Sequence, residues 1–264
     1  MTNQENEEKL AGGNVSTVYR SGDTVRREMK EGSHNIHKLL KHLENKGFDA
    51  APKFLGIDEK GREVLTFIEG EAGHYPLKKY MWSDDNLIEI AKMLRRYHDS
   101  VSDFPFDDSW DSIDNTPEPL EVLCHNDFAM YNLIFKNETP VGIIDFDVAG
   151  PGPRLWDIAY TLYTCIPLSR VSLSETGEKI HYQSTQHANR IKQRVTSFFD
   201  SYGDGIDKEN YLEMVLLRLE GICKTIKRKA GEGDLAFQKM VHEGHLEHYQ
   251  NDIKFIRDHG KEWV

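Results

Sequence analysis

The pattern of apolar residues changes character once along this 264-residue chain, close to Glu69 and Gly70. Before that point the apolar residues mostly alternate in short runs, as they do in strands. After it they recur mainly at helical spacing. The change predicts a small sheet-rich lobe over residues 1–70 and a larger, mostly helical lobe over residues 71–264, which together make an α+β fold.

The N-terminal part is predicted to contain two strand pairs and one helix. A glycine-rich break follows Leu10, and a turn at Ser21-Gly22-Asp23 separates the next two strands. A helix follows, because apolar residues recur at helical spacing and Gly47 stands just past its end. The predicted strands are 15–20, 24–27, 53–57 and 63–68, and the predicted helix is 33–46.

The C-terminal part is predicted to be helical around one strand pair. Ser83 or Asp84 can cap the first helix, and its core face carries apolar residues such as Leu87 and Leu94. Strands are expected at 133–135 and 141–146, joined by a turn that contains Pro140. The predicted helices are 84–98, 155–166, 185–202, 208–229 and 234–258.

Two polar segments, 124–132 and 143–147, flank this predicted strand pair. If the turn is centred near Glu138, Asn132 enters the first strand opposite Asp145, which leaves the second. Amide and carboxylate oxygens side by side suit Mg²⁺, which completes its shell with water and phosphate oxygens. Asp127 lies in the loop that must turn back over the same end, where a carboxylate can orient a hydroxyl nucleophile and accept its proton.

The two segments together resemble the paired signature of the aminoglycoside phosphotransferase and choline kinase family. The resemblance rests on His125-x-Asp127-x₄-Asn132 followed by Asp145-Phe146-Asp147, and it continues through residues 149–159. It implies a bilobal protein-kinase-like fold that uses ATP and Mg²⁺. It further implies the catalytic role for Asp127, structural roles for His125 and Asp157, and a metal site formed by Asn132, Asp145 and, as a neighbour, Asp147.

The resemblance extends into the N-terminal lobe, where it implies the nucleotide contacts. A loop that covers the phosphates is expected at Gly12, Gly13, Asn14, Ser16 and Thr17, where small side chains let backbone amides approach phosphate oxygens. The strand and hinge that pair with adenine are expected at Thr66, Phe67 and Ile68.

The cation that contacts the phosphates is expected on the third strand, at Arg26 or Arg27. Relatives usually carry lysine there, and the Thr-Val spacing favours Arg26 whereas strand alternation favours Arg27. The glutamate that usually pairs with this cation from the following helix is missing, since the inner stretch of 33–46 offers His34 and His37.

Composition narrows the range of partners. The formal net charge of −11 argues against general binding of nucleic acid or anionic membranes. The polar N-terminus does not resemble a secretory signal, and no apolar run approaches the roughly 20 residues that cross a bilayer. Cys124, Cys165 and Cys223 lack metal-binding spacing, so reduced thiols in a cytoplasmic protein are expected.

These observations predict a phosphotransferase that moves the γ-phosphoryl group of ATP to a hydroxyl of a small, amine-bearing molecule. An acidic segment, residues 103–121, is either a solvated loop or a means of attracting a cationic acceptor. The alternatives are a catalytically silent nucleotide-binding scaffold and a protein kinase. The second lacks support, because no segment between Asp145 and Trp156 is long enough for an activation loop.

Overall fold

The computed structural model describes residues 7–10 and 18–264. Its N-terminal lobe is an antiparallel sheet in the order β1-β2-β3-β5-β4. Both predicted hairpins are confirmed, with the first turn at Gly22, whose φ is +57°. The strands are β1 (Glu8–Lys9), β2 (Val18–Ser21), β3 (Thr24–Glu28), β4 (Phe54–Ile57) and β5 (Arg62–Thr66). The predicted phosphate loop, 12–17, lies outside the described residues.

The predicted helix of this lobe is α1 (Ser33–Asn45), which packs its apolar face into the core. Leu39 and Leu43 are fully buried, and Ile36 and Leu40 are nearly so. Each such side chain contributes roughly 1.5–3 kcal/mol relative to an exposed one. Packing therefore fixes which side of α1 faces the sheet, and it turns His37 inward with the leucines.

Just after Gly70, β6 (Glu71–Ala72) pairs with β8 (Leu133–Lys136). A Cβ atom at Gly70 would lie 2.4 Å from the carbonyl oxygen of Phe135, so only glycine lets the backbones approach this closely. β8 pairs in turn with β9 (Thr139–Ile143), as predicted, with a bulge at Ile134/Phe135. Both polar segments adjoin this sheet, because 124–132 leads directly into β8 and 143–147 begins at the last residue of β9.

Helices build the rest of this lobe, and all five predicted helical regions are found. The last region is divided, because Gly244 has a φ of +83° and begins a new helix. Ser83 caps the first helix by accepting a hydrogen bond from the Asn86 amide. The helices are α2 (Asp84–Ser100), α3 (Arg154–Cys165), α4 (Ser184–Tyr202), α5 (Tyr211–Gly231), α6 (Leu235–His242) and α7 (His245–His259).

Two short strand pairs were not predicted from the sequence. β7 (Val122–Cys124) pairs with β10 (Gly150–Gly152), which brings together the chain just before the first polar segment and the chain just after the second. A second hairpin, β11 (Val171–Leu173) with β12 (Lys179–His181), lies between α3 and α4. Within the described ranges, no helix is both long enough and apolar enough to cross a bilayer.

Candidate active site

The loop after β7 is held by one buried carboxylate from α3. Asp157 accepts hydrogen bonds from the backbone amides of His125, at 2.8 Å, and Asn126, at 2.9 Å. His98 lies 3.1 Å from the same carboxylate. Burial alone would raise the pKa of Asp157, but His98 and the amides lower it below its ordinary value. Asp157 therefore ties the loop to α3, as the sequence predicts.

His125 is fully buried and has a structural role in the loop. Its Nδ1 accepts the backbone amide of Asp127 at 3.2 Å, and its ring packs against Phe146, with centroids 4.4 Å apart. Burial lowers the pKa of His125 to about 4, so the ring is neutral at physiological pH. A neutral ring can accept this amide hydrogen, which sets the direction in which the Asp127 backbone leaves the loop.

Arg218, on α5, also holds this loop, and its role was not predicted from the sequence. Its guanidinium donates to the Asn126 carbonyl at 2.6 Å and lies over the rings of Trp156 and Tyr160 at 5.1 and 4.6 Å. The side chain is 1% exposed. One signal was available, because Arg218 stands on the same helical face as the buried Val215.

Asp127 is held between two neutral hydrogen-bond donors. Tyr131 donates its hydroxyl to Oδ1 at 2.5 Å, and the Asn132 amide nitrogen donates to Oδ2 at 2.7 Å. Burial raises the pKa of Asp127 to about 6; nearby Asp145 adds to the rise, and the two donors oppose it. A carboxylate with this pKa is ionised near neutrality yet basic enough to take a proton, as a general base requires.

Tyr131 is the first member of a chain of phenol hydroxyls that leads away from Asp127. Its oxygen lies 3.0 Å from the hydroxyl of Tyr160 on α3, which lies 3.2 Å from the hydroxyl of Tyr249 on α7. Tyr163 packs beside Tyr160 and Tyr249 and donates to the buried Asp252 at 2.7 Å. No motif in the sequence indicated this wall of tyrosines, because its members come from three separate segments.

The two predicted metal ligands are brought together at the end of the β8–β9 hairpin. The Ile144 amide donates to the Asn132 carbonyl at 3.0 Å, which places Asp145 beside Asn132. The amide nitrogen of Asn132 is committed to Asp127, so its amide oxygen is the atom it can offer. Asp145 has a φ of +66°, and its side chain is 51% exposed. An amide oxygen and an open carboxylate suit Mg²⁺.

Asp147 is bound by two cations instead. Arg27 Nη2 and Lys30 Nζ each lie 2.6 Å from one of its carboxylate oxygens. Burial opposes ionisation of Asp147, yet these two cations lower its pKa. The pKa of Asp145 is raised instead, by partial burial and by the nearby charge of Asp147. A part for Asp147 in metal binding stays a prediction, and it would require the loss of one of these ion pairs.

Arg27 is the β3 cation that faces this site. Its Nη1 lies 3.7 Å from Asp145, and its Nε donates to Glu63 on β5. Arg26 points to the other face of the sheet, where its Nη1 donates to Thr24 and its Nε lies 3.9 Å from Asp58. The alternation of β3 thus places Arg27, and not Arg26, at the cleft.

Glu63 supplies the carboxylate that α1 lacks. It pairs with Arg27 across the strands and is 1% exposed. His37 of α1 binds its other oxygen at 2.6 Å and stacks on Phe54. Glu63 was not predicted from the sequence, although a charged residue at the inward position next to Leu65 in an alternating strand was a usable signal.

The other predicted nucleotide contacts stay predictions. Thr66 ends β5, and the Phe67 amide donates to the Asp23 carbonyl at 2.8 Å, within the N-terminal lobe. Arg20 stacks over the Phe67 ring at 3.8 Å. Ile68 lies in the segment between β5 and β6.

Part of the acidic segment is neutralised. Asp103 pairs with Lys46, the residue that follows α1, and Asp114 pairs with Arg228 of α5 at 3.0 Å. The exposed acidic residues of the segment outside these pairs are Asp107, Asp108, Asp111, Glu118 and Glu121. Any attraction of a cation by this segment therefore depends on these five residues.

The family resemblance predicted from the sequence is confirmed by comparison with known proteins. A sequence model described as the phosphotransferase enzyme family (APH) matches residues 76–180, which include both polar segments. The trifolitoxin immunity protein of Rhizobium leguminosarum bv. trifolii is 40% identical over 148 residues. That match covers 54% of this chain, and the chain spans about half, 55%, of that relative's length.

Solved structures confirm the predicted bilobal α+β fold. A choline/ethanolamine kinase family protein from Mesorhizobium loti has a TM-score of 0.58 at 16% identity, covering 95% of this chain and 92% of that one. The amicoumacin kinase hAmiN, in complex with AMP-PNP and Ca²⁺, has a TM-score of 0.63 at 13% identity, covering 91% and 89%. The wild-type aminoglycoside 2′-phosphotransferase-IIIa, in its GDP complex, has a TM-score of 0.60 at 16% identity, covering 94% and 92%. At these identities the neighbours show that the chain shares their fold.

Proposed function

We propose that this protein transfers the γ-phosphoryl group of ATP to a hydroxyl of a small, amine-bearing molecule. The observation that carries the proposal is the position of Asp127 beside Asn132 and next to Asp145, within one hydrogen-bonded hairpin end. A scaffold that only binds nucleotide has no need of a carboxylate whose pKa is raised to about 6 beside such a pair.

In this proposal Asp127 accepts the proton of the acceptor hydroxyl as its oxygen attacks the γ-phosphorus and the bond to the departing ADP breaks. Asn132 and Asp145 would hold Mg²⁺, which supplies neutralisation of the charge on the phosphate oxygens. Arg27 provides a fixed positive charge on the nucleotide side, because Glu63 and Asp147 restrain its guanidinium.

The wall of tyrosines supports an amine-bearing acceptor. Tyr249, which is partly exposed, packs against the buried Tyr163 next to the Asp127 hydroxyl chain, and a cation over a tyrosine ring gains roughly 0.5–2 kcal/mol. Asp252, buried behind Tyr163, adds a negative charge to the same wall. The identity with a relative named as an immunity protein supports a second candidate, in which the acceptor is an antibiotic or toxin and phosphorylation protects the cell.

A screen of ATP consumption tests the proposal. The acceptors are aminoglycosides, choline, ethanolamine, amino sugars, homoserine and nucleosides, with toxins added for the second candidate. We expect turnover with at least one amine-bearing acceptor and at least a roughly hundredfold lower rate in the Asp127→Ala variant. Binding of ATP and Mg²⁺ should also raise the melting temperature, since only the folded cleft binds them. Absence of a thermal shift and of turnover would contradict the proposal.

A further inference from the structure

The hydroxyl of Tyr131 occupies the position on Asp127 that the acceptor hydroxyl needs. It donates to Oδ1 at 2.5 Å, while Asn132 holds Oδ2. Both Tyr131 and Asp127 are partly exposed, so small molecules and water can reach this edge of the loop. In the absence of acceptor, a water on Oδ1 would be oriented as a nucleophile, and ATP would be hydrolysed.

We propose that Tyr131 is a specificity-determining residue that stands in for the acceptor, keeping water off Asp127 until the acceptor displaces it. The inference rests on the proposed phosphotransferase function. The reaction it suppresses is attack of a water oxygen on the γ-phosphorus, with cleavage of the bond to ADP and transfer of the water proton to Asp127. Its products are ADP and inorganic phosphate.

The phenol is suited to stand in without reacting. The Tyr131 hydroxyl donates to the Asp127 carboxylate, and a phenol, whose ordinary pKa is about 10, keeps its proton near neutral pH and remains a donor. A protonated phenol is a weak nucleophile, whereas an acceptor hydroxyl gives its proton to Asp127 during attack.

The tyrosine chain gives the displaced hydroxyl another partner. Tyr160 lies 3.0 Å from Tyr131, and Tyr249 lies 3.2 Å beyond. Each hydroxyl both donates and accepts, so the chain can reverse direction: Tyr131 turns from donating to Asp127 to donating to Tyr160. Displacement by the acceptor then leaves no buried phenol without a partner, and a hydroxyl on Asp127 is exchanged for another at small cost.

The test measures phosphate release from ATP with MgCl₂ and no acceptor. Tyr131→Phe should raise this rate roughly tenfold over wild type, the factor for one hydrogen bond to a charged group. Tyr182→Phe is the matched control, because its phenol also donates to a carboxylate, Glu262, at 2.7 Å but lies outside the site. The control should match wild type. A structural defect would lower the rate, whereas the inference predicts a gain.

A second variant separates displacement from exclusion of water. Tyr160→Phe removes the alternative partner of Tyr131, so the acceptor KM should rise several-fold without the gain in acceptor-free phosphate release expected of Tyr131→Phe. If wild type shows an ATP-dependent thermal shift and turnover but Tyr131→Phe hydrolyses ATP no faster, the inference is wrong and the proposed function stands. If wild type shows neither shift nor turnover, the proposed function fails.

Discussion

Asp127 and Asp147 lie in the two polar segments that meet at one hairpin end, yet their surroundings are opposite. Asp127 is held by neutral donors of the C-terminal lobe, a phenol and an amide, and its pKa is raised to about 6. Asp147 is held by Arg27 and Lys30, which belong to the N-terminal lobe, and its pKa is lowered. One carboxylate can exchange a proton near neutrality, and the other is fixed as an anion.

Asp127 and Asp147 are therefore suited to different tasks, although both belong to the same paired sequence signature. Proton transfer needs a carboxylate stabilised by hydrogen bonds without a permanent counter-charge, whereas holding the lobes together benefits from a permanent ion pair. The ion pairs of Asp147 join residues 27 and 30 to residue 147, so they bridge the predicted nucleotide-binding lobe and the catalytic segment. The loop that carries Asp127, by contrast, is held within the C-terminal lobe by Asp157 and Arg218.

Removal of the proton-exchanging carboxylate should have the largest effect. Asp127→Ala deletes the group that orients the acceptor and takes its proton, so turnover should fall by roughly 10²–10⁴-fold. ATP affinity should change little, because no phosphate contact is assigned to Asp127. Steady-state kinetics and calorimetric titration with ATP measure the two quantities. Asp258→Ala, an exposed aspartate near the end of α7, is the control. Retention of more than about a tenth of turnover would contradict the role.

The exposed carboxylate of Asp145 should control how strongly ATP binding depends on Mg²⁺. Asp145→Asn preserves the shape and removes one charge at the proposed metal site, so the Mg²⁺ concentration needed for ATP binding should rise by on the order of tenfold or more. Titration of Mg²⁺ at fixed ATP measures this requirement. Asp200→Asn, exposed at the end of α4, should leave the requirement unchanged. The same requirement in wild type and Asp145→Asn would mean that the metal site lies elsewhere.

The ion pairs of Arg27 can be weakened by a substitution at Glu63 that leaves Asp147 in place. Glu63→Gln removes the charge that pairs with Arg27 and binds His37, so the free energy of unfolding should fall by about 1–3 kcal/mol. The KM for ATP should rise several-fold, because the guanidinium loses one restraint. Chemical denaturation and kinetics measure both, with the exposed turn residue variant Glu59→Gln as control. A stable variant with normal KM would show that Glu63 only fills space.

The sequence predicted most of the fold and the position of Asp127 beside Asn132, because these depend on local patterns. Helical spacing located α1 through α5, and the spacing of Asp127 and Asn132 within one loop brought both to the hairpin end. Contacts between distant segments were not accessible in this way. Arg27 and Glu63 meet only through the β3–β5 register, which no local pattern specifies.

The shortest strands and the division of the last helical region could not be predicted from the sequence either. β7 and β10 have three residues each, too few for an alternating pattern. The division between α6 and α7 rests on the left-handed conformation of Gly244, and a single glycine within a helical pattern does not by itself indicate a break. The tyrosine chain joins a loop and two helices, so only the packing of α3 and α7 brings it together.

The smallest expected effect is on the pH dependence of stability, to which Asp127 and Asp147 should contribute in opposite directions. Asp127 has a raised pKa in the folded protein, so its contribution to stability is present below its ordinary value near 3.8 and is lost as pH rises through about 6. Asp147 has a lowered pKa, so its contribution is present above its ordinary value of 3.8 and is lost as pH falls through its lower, folded-state value.

Neutral amides should therefore act in opposite directions at the two positions. Asp127→Asn should unfold with a free energy on the order of 1 kcal/mol higher than wild type at pH 7.5, and the gain should vanish near pH 4, where wild-type Asp127 is protonated. Its amide keeps a partner, because the Tyr131 hydroxyl can accept as well as donate. Asp147→Asn should lose stability at pH 7.5, since Arg27 and Lys30 lose their shared anion. Denaturation of both variants at the two pH values measures this, and a shift of the same sign in both would contradict the contrast between the regions.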